Sequence, residues 1–123
     1  MNPKTILIAE DDDFLRSLAT SKLQKAGFTV ETAANGQIAL DLLKAKMPQL
    51  LLLDLMMPTV DGFQVLTAMK AESLIEKTEI IVFSNLGADE DIKRVKEFGV
   101  TNYIVKSSFT LDELVAKIQE ILK

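Results

Sequence analysis

With 123 residues, 48% of them hydrophobic and 26% charged, the chain is sized for one globular domain with its own core. Fourteen basic against 18 acidic residues leave a formal charge of −4, which speaks against a polyanion-binding surface and so against nucleic acid as a partner. The sequence has no cysteine and no histidine, excluding disulfides, thiolate or imidazole metal ligands and an internal phosphohistidine.

No apolar run approaches the ~20 residues of a membrane span, and Ile6–Ala9 is too short for a secretory core. The expectation is one cytoplasmic domain over residues 1-123, standing alone and making no contact with membrane. Ile6–Ala9 lacks alternation, the pattern of a strand buried on both faces. Four mutually repelling acids follow it, Glu10 to Asp13. Asp13 is expected to cap the first helix, where negative charge suits the dipole, and Asp12 to be a solvated surface charge. Leu15, Leu18, Ala19, Leu23 and Ala26 recur at helical spacing until Gly27 stops the run. Phe28–Thr32 alternates like an edge strand. Asn35-Gly36 then opens a helix carrying Ile38, Ala39, Leu42 and Leu43, which ends before Pro48.

Leu50–Leu53 is four consecutive leucines, and Asp54 stands where that run stops. Pro58 and Asp61-Gly62 mark a loop, with Asp61 expected to cap the helix that buries Phe63, Val65, Leu66 and Met69. Ile80–Phe83 is the next buried strand and ends in Ser84-Asn85. A helix over Ala88–Phe98 turns Ile92, Val95 and Phe98 inward, with acids in its first turn and bases further along. Tyr103–Val105 is the last strand, ending in Lys106-Ser107. Thr110 to Glu113 reads as a capping box, and the helix it opens carries Leu111, Leu114, Val115, Ile118, Ile121 and Leu122.

Five strand–helix units with short connections predict an α/β fold, a flavodoxin-like doubly wound five-stranded parallel sheet of order 2-1-3-4-5 with five helices. Ligands of such sheets gather beyond the carboxyl ends of the strands, where Glu10, Asp11, Asp54, Ser84 and Lys106 all stand. Neighbouring strands lie about 4.8 Å apart, so Asp11 and Asp54 can share a coordination sphere. Unit charges 4 Å apart interact by roughly 4 kcal/mol at an effective dielectric of 20, so the crowded carboxylates imply a cation. Oxygen-only donors with an open shell suit Mg²⁺. With the Lys106 ammonium and the Ser84 hydroxyl, the set fits a phosphoryl group, and Asp54 is a nucleophile able to form an acyl phosphate.

These residues resemble the receiver domain of two-component response regulators, of the stand-alone CheY-like type, over essentially the whole length. The likeness rests on Ile6 to Asp11, Asp54 to Pro58 with Asp61-Gly62, Ser84, and Tyr103 to Lys106, in that order and spacing. It implies that Asp54 accepts a phosphoryl group from the phosphohistidine of a sensor histidine kinase or histidine phosphotransfer protein. Asp11, Asp54 and the backbone carbonyl of Met56 would ligate Mg²⁺ directly, with Glu10 acting mostly through water. Lys106 would contact the acyl phosphate, while Ser84 and Tyr103 would act as the switch. An output protein would read the face of the fourth helix, fifth strand and fifth helix. Such a domain is no enzyme in the ordinary sense, though it supports its own phosphotransfer and slow self-dephosphorylation. The sequence departs from the family pattern in Ser84 for the commoner threonine, Asn85 for a small alanine and Ser107 for proline. A cis bond at Lys106-Ser107 would cost ~2.5–4 kcal/mol. Met56 and Leu86 are apolar and are expected to shield the acyl phosphate from water. Two other readings compete. One is a phosphorylation-independent pseudo-receiver scaffold. The other is a phosphohydrolase of the haloacid dehalogenase type, disfavoured because Asp11 to Leu15 lacks the threonine or valine expected after its Asp-x-Asp motif.

Overall fold

The four leucines of the central strand set the layers. Pleating sends alternate side chains to opposite faces, so Leu51 and Leu53 join one core and Leu50 and Leu52 the other. Neither face has a solvent side, so neither can be polar. The computed structural model describes residues 3–123. Its strands are β1 (Thr5–Ala9), β2 (Thr29–Ala33), β3 (Leu50–Leu53), β4 (Glu79–Ser84) and β5 (Asn102–Val105). Its helices are α1 (Asp13–Lys25), α2 (Gly36–Lys46), α3 (Gly62–Ala71), α4 (Asp89–Glu97) and α5 (Leu111–Ile121). The sheet is parallel throughout, in the order β2-β1-β3-β4-β5. It is the flavodoxin-like, doubly wound architecture that the alternation of elements predicts.

Leu40, Leu43, Leu66, Met69 and Val95 of α2, α3 and α4 cover one face with Leu7, Leu51 and Val82. Leu23, Leu114 and Ile118 of α1 and α5 cover the other with Ile8, Leu52 and Phe83. Capping follows the sequence at α3 and α5, where Asp61 with Gln64 and Thr110 with Glu113 form complete capping boxes. At α1 the expectation needs correction. Asp12, not Asp13, is the cap and accepts Leu15 N–H at 2.9 Å. Asp12 still has extended backbone, whereas Asp13 already lies in the helix and pairs with Arg16 one turn on.

Leu18 and Ile38, expected inward, are 39% and 42% exposed, and Leu40 is buried instead. Only a narrow stripe of each helix meets the sheet, and the helical spacing of apolar residues does not fix which stripe that is. Two 3-10 turns, Ile75–Lys77 and Lys106–Ser108, lie outside the periodic patterns. Among the described residues no peptide is cis, so Ser107 enters its turn through a trans bond. No described helix is long and apolar enough to cross a membrane.

Leu51 is fully buried against neighbours on one face of the sheet. Leu51→Ala is expected to cost about 3 kcal/mol, read as a lower urea midpoint at unchanged slope.

Candidate functional site: an acidic pocket at the strand ends

Register builds the site. Ala9 pairs with Leu53 across β1 and β3, so the next residues, Glu10 and Asp54, emerge side by side. The backbone holds them there, because Asp54 N–H donates to Ala9 O and Glu10 N–H to Ala33 O, each at 3.0 Å. On the far side Val105 pairs with Ser84, which sets Lys106 one residue past the end of β5. Its ammonium reaches back over β4 to Glu10 Oε1 at 2.6 Å and Asp54 Oδ2 at 2.9 Å. Asp54 Oδ1 accepts Met56 N–H at 3.2 Å. Asp11 stands exposed at the rim.

Carboxylate oxygens of Glu10, Asp11 and Asp54 lie within 4.8 Å of one another. Glu10 and Asp54 are buried at 4% and 5% exposure, so water screens them little. Burial pushes the Glu10 carboxyl up to about 7, aided by the Asp54 charge and opposed by the Lys106 hydrogen bond and Asp12 N–H. Burial alone would lower the Lys106 ammonium, but its bonds to Glu10 and Asp54 and their charges outweigh it and hold it above its ordinary value. One lysine therefore leaves negative charge over. An anionic, all-oxygen donor set with one exposed member fits a hard divalent cation such as Mg²⁺.

The Ser84 hydroxyl is buried and accepts Leu86 N–H at 3.4 Å, so its partner belongs to its own loop rather than to the carboxylates. Tyr103 is half-buried and donates its hydroxyl to Leu86 O. Leu86 is thus held at its N–H by one candidate switch residue and at its carbonyl by the other. Burial raises the Tyr103 phenol, with Asp91 and Asp54 adding to it. Asn85 is exposed, and Met56 is 56% exposed. Sequence reasoning missed Arg16, whose Nη1 donates to Glu10 O at 2.9 Å and steadies the backbone of the acidic corner. The signal available was the Asp13-x-x-Arg16 spacing of a helical ion pair.

Residues 6–119 match the family model of the response regulator receiver domain. The chain belongs to that family. The probable transcriptional regulator ycf27 of Cyanophora paradoxa is 36% identical over 123 residues, which are 100% of this chain and 50% of that protein. Transcriptional regulatory protein SrrA of Staphylococcus aureus (strain NCTC 8325 / PS 47) is 36% identical over 120 residues, covering 96% and 47%. The chain spans about half the length of the curated relatives it matches.

The CheY-like receiver domain protein of Methanospirillum hungatei JF-1 superposes with a TM-score of 0.89 at 27% identity, covering 98% of this chain and 94% of that one. Chemotaxis response regulator CheY4 of Vibrio cholerae gives 0.87 at 28% identity, covering 98% and 99%. Receiver domains are signalling modules rather than classical enzymes. They bind Mg²⁺ at an acidic pocket and work with histidine kinases and output domains.

In the metal-free receiver domain Glu10 titrates near 7 when folded against an ordinary 4.5. Across that interval the folded state binds more protons than the unfolded one, so stability falls as pH rises from about 4.5 to about 7. Urea midpoints on either side of the interval are expected to drop more for the parent than for Glu10→Gln.

Proposed function

We propose that the chain is a phosphorylation-switched module of a two-component system or phosphorelay, with Asp54 as the phosphoacceptor. One observation carries this reading: Lys106 Nζ bridges the buried carboxylates of Asp54 and Glu10, with Asp11 beside them. An Asp54 carboxylate oxygen attacks the phosphorus of a partner phosphohistidine. The new P–O bond forms as the P–N bond breaks, and the imidazole leaves with the electron pair. Asp11, Asp54 and the Met56 carbonyl would hold Mg²⁺, with Glu10 acting mostly through water. When bound, the ion supplies positive charge to the oxygens of the transferring group. Lys106, already on Asp54 Oδ2, is placed to meet a phosphoryl oxygen.

The acyl phosphate adds about −1.5 to −2 charges and three acceptor oxygens. The Ser84 hydroxyl can donate to one of them, which means leaving its contact with Leu86 N–H. Tyr103 holds the same residue from the other side, so the change reaches the face of α4, β5 and α5. That face is proposed to engage an output protein, and the donor to be a sensor histidine kinase or histidine phosphotransfer protein in the cytoplasm. The named regulators among the relatives suggest a transcriptional output. The receiver unit is proposed to fill residues 1–123.

After acetyl phosphate and Mg²⁺ treatment, intact mass is expected to rise by one phosphoryl group in the parent and not in Asp54→Asn. No gain in the parent would instead favour a phosphorylation-independent scaffold. Met56 and Leu86 place apolar side chains two residues beyond Asp54 and Ser84, and self-dephosphorylation is proposed to be slow because they exclude water. The Met56→Asn, Leu86→Glu double variant is expected to shorten the acyl-phosphate half-life several-fold, followed by phosphate release.

A further inference from the structure

Gly36, buried in the first turn of α2, does not have left-handed backbone, so conformation alone does not call for glycine there. A neighbour does. A Cβ at this position would lie 2.1 Å from Val60 O and 2.8 Å from the Val60 carbonyl carbon. Gly36 N–H donates to that same oxygen at 3.0 Å. One of the free N–H groups at the start of α2 is therefore bonded to the β3–α3 loop.

The carbonyl it holds follows directly on the loop's strained point. Val60 N–H turns back to Pro58 O at 2.8 Å, closing a three-residue turn around Thr59 at φ 69°. A β-branched residue is rarely found there, and such turns persist only where their surroundings hold them. At the loop's neck Gly62 N–H donates to Leu55 O at 3.1 Å, and a Cβ on Gly62 would meet Asp54 O at 2.5 Å. Between these two ties lies Met56, whose N–H faces Asp54 Oδ1.

We propose that Gly36 is a positioning residue for the acceptor site, acting from another helix. Its absent side chain and its N–H let Val60 close onto α2. That contact holds the Thr59 turn shut and so fixes the Met56 backbone against Asp54. Alanine at position 36 forces the Val60 carbonyl away, although alanine is the better helix former. Loss of loop order then cannot be assigned to a weakened α2.

Amide hydrogen exchange of the metal-free protein and calorimetric Mg²⁺ titration test this on the parent, Gly36→Ala and Gly27→Ala. Gly27 is left-handed at φ +98° with nothing within 4 Å of its Cβ position, so alanine there strains the chain without touching the loop. In Gly36→Ala, exchange at Met56 and Val60 is expected to rise about tenfold and Mg²⁺ affinity to fall about tenfold. In Gly27→Ala both are expected to stay parental while the urea midpoint drops. Asn35→Ala removes the α2 cap that accepts Ile38 N–H and loosens the turn carrying Gly36, leaving the loop's own residues intact. It is expected to speed loop exchange several-fold and serves if Gly36→Ala does not fold. Parental loop exchange in the folded variants, or equal loosening by Gly27→Ala, overturns the proposal. The Mg²⁺ measurement rests on the acceptor reading. A parent that takes up no Mg²⁺ would overturn that reading, and the exchange measurement would still decide the role of Gly36.

Discussion

Like charge forced together at the end of a buried sheet is the constraint on which the rest of the structure depends. Glu10 and Asp54 leave adjacent strands in register, and both are almost wholly buried. Two carboxylates that close would repel strongly in a screened-off site. Lys106 crosses over from the end of β5 and bonds both. Asp11 adds a third carboxylate beside them, so a single ammonium leaves the balance incomplete. A pocket left short of positive charge is suited to a divalent cation and, with it, to a phosphoryl group.

The fold supplies what this crowding needs, a rigid base and adjustable rims. The base is the four-leucine strand, dry on both faces, whose register places Asp54 one residue past its end. Two loops make the rims. The β3–α3 loop is tied to α2 through Gly36 and Val60 and carries its strain at Thr59. The β4–α4 loop is held at Leu86 by Ser84 on one side and Tyr103 on the other. The first is built to stay still, since its contact leaves no room for even a methyl group. The second rests on one long hydrogen bond and one tyrosine hydroxyl, so it has less holding it in place.

Much of this was legible in the sequence because it depends on local pattern. Unalternated apolar runs announced buried parallel strands, and turn or cap residues marked several helix boundaries, among them Gly27 after α1, Asp61 before α3, Gly99 after α4 and Thr110 before α5. The five residues beyond the strand ends could be named because an α/β sheet gathers its chemistry there. Local pattern also misled where two neighbours could play one part. Asp12 and Asp13 are both competent caps, and only the backbone conformation chose between them, extended at Asp12 and already helical at Asp13. Leu18 and Ile38 fit the helical spacing but fall outside the stripe that meets the sheet.

The sequence by itself determined the fold class, the strand order and the set of polar groups at one end of the sheet, because these follow from periodicity and connection length. Only the tertiary structure decided how those groups meet. The bridging of Glu10 and Asp54 by Lys106, the hold of Arg16 on the Glu10 carbonyl and the closing of Val60 onto Gly36 each join separate elements. Such contacts depend on ångström-scale separations between elements, and no periodicity along a chain encodes a distance across it.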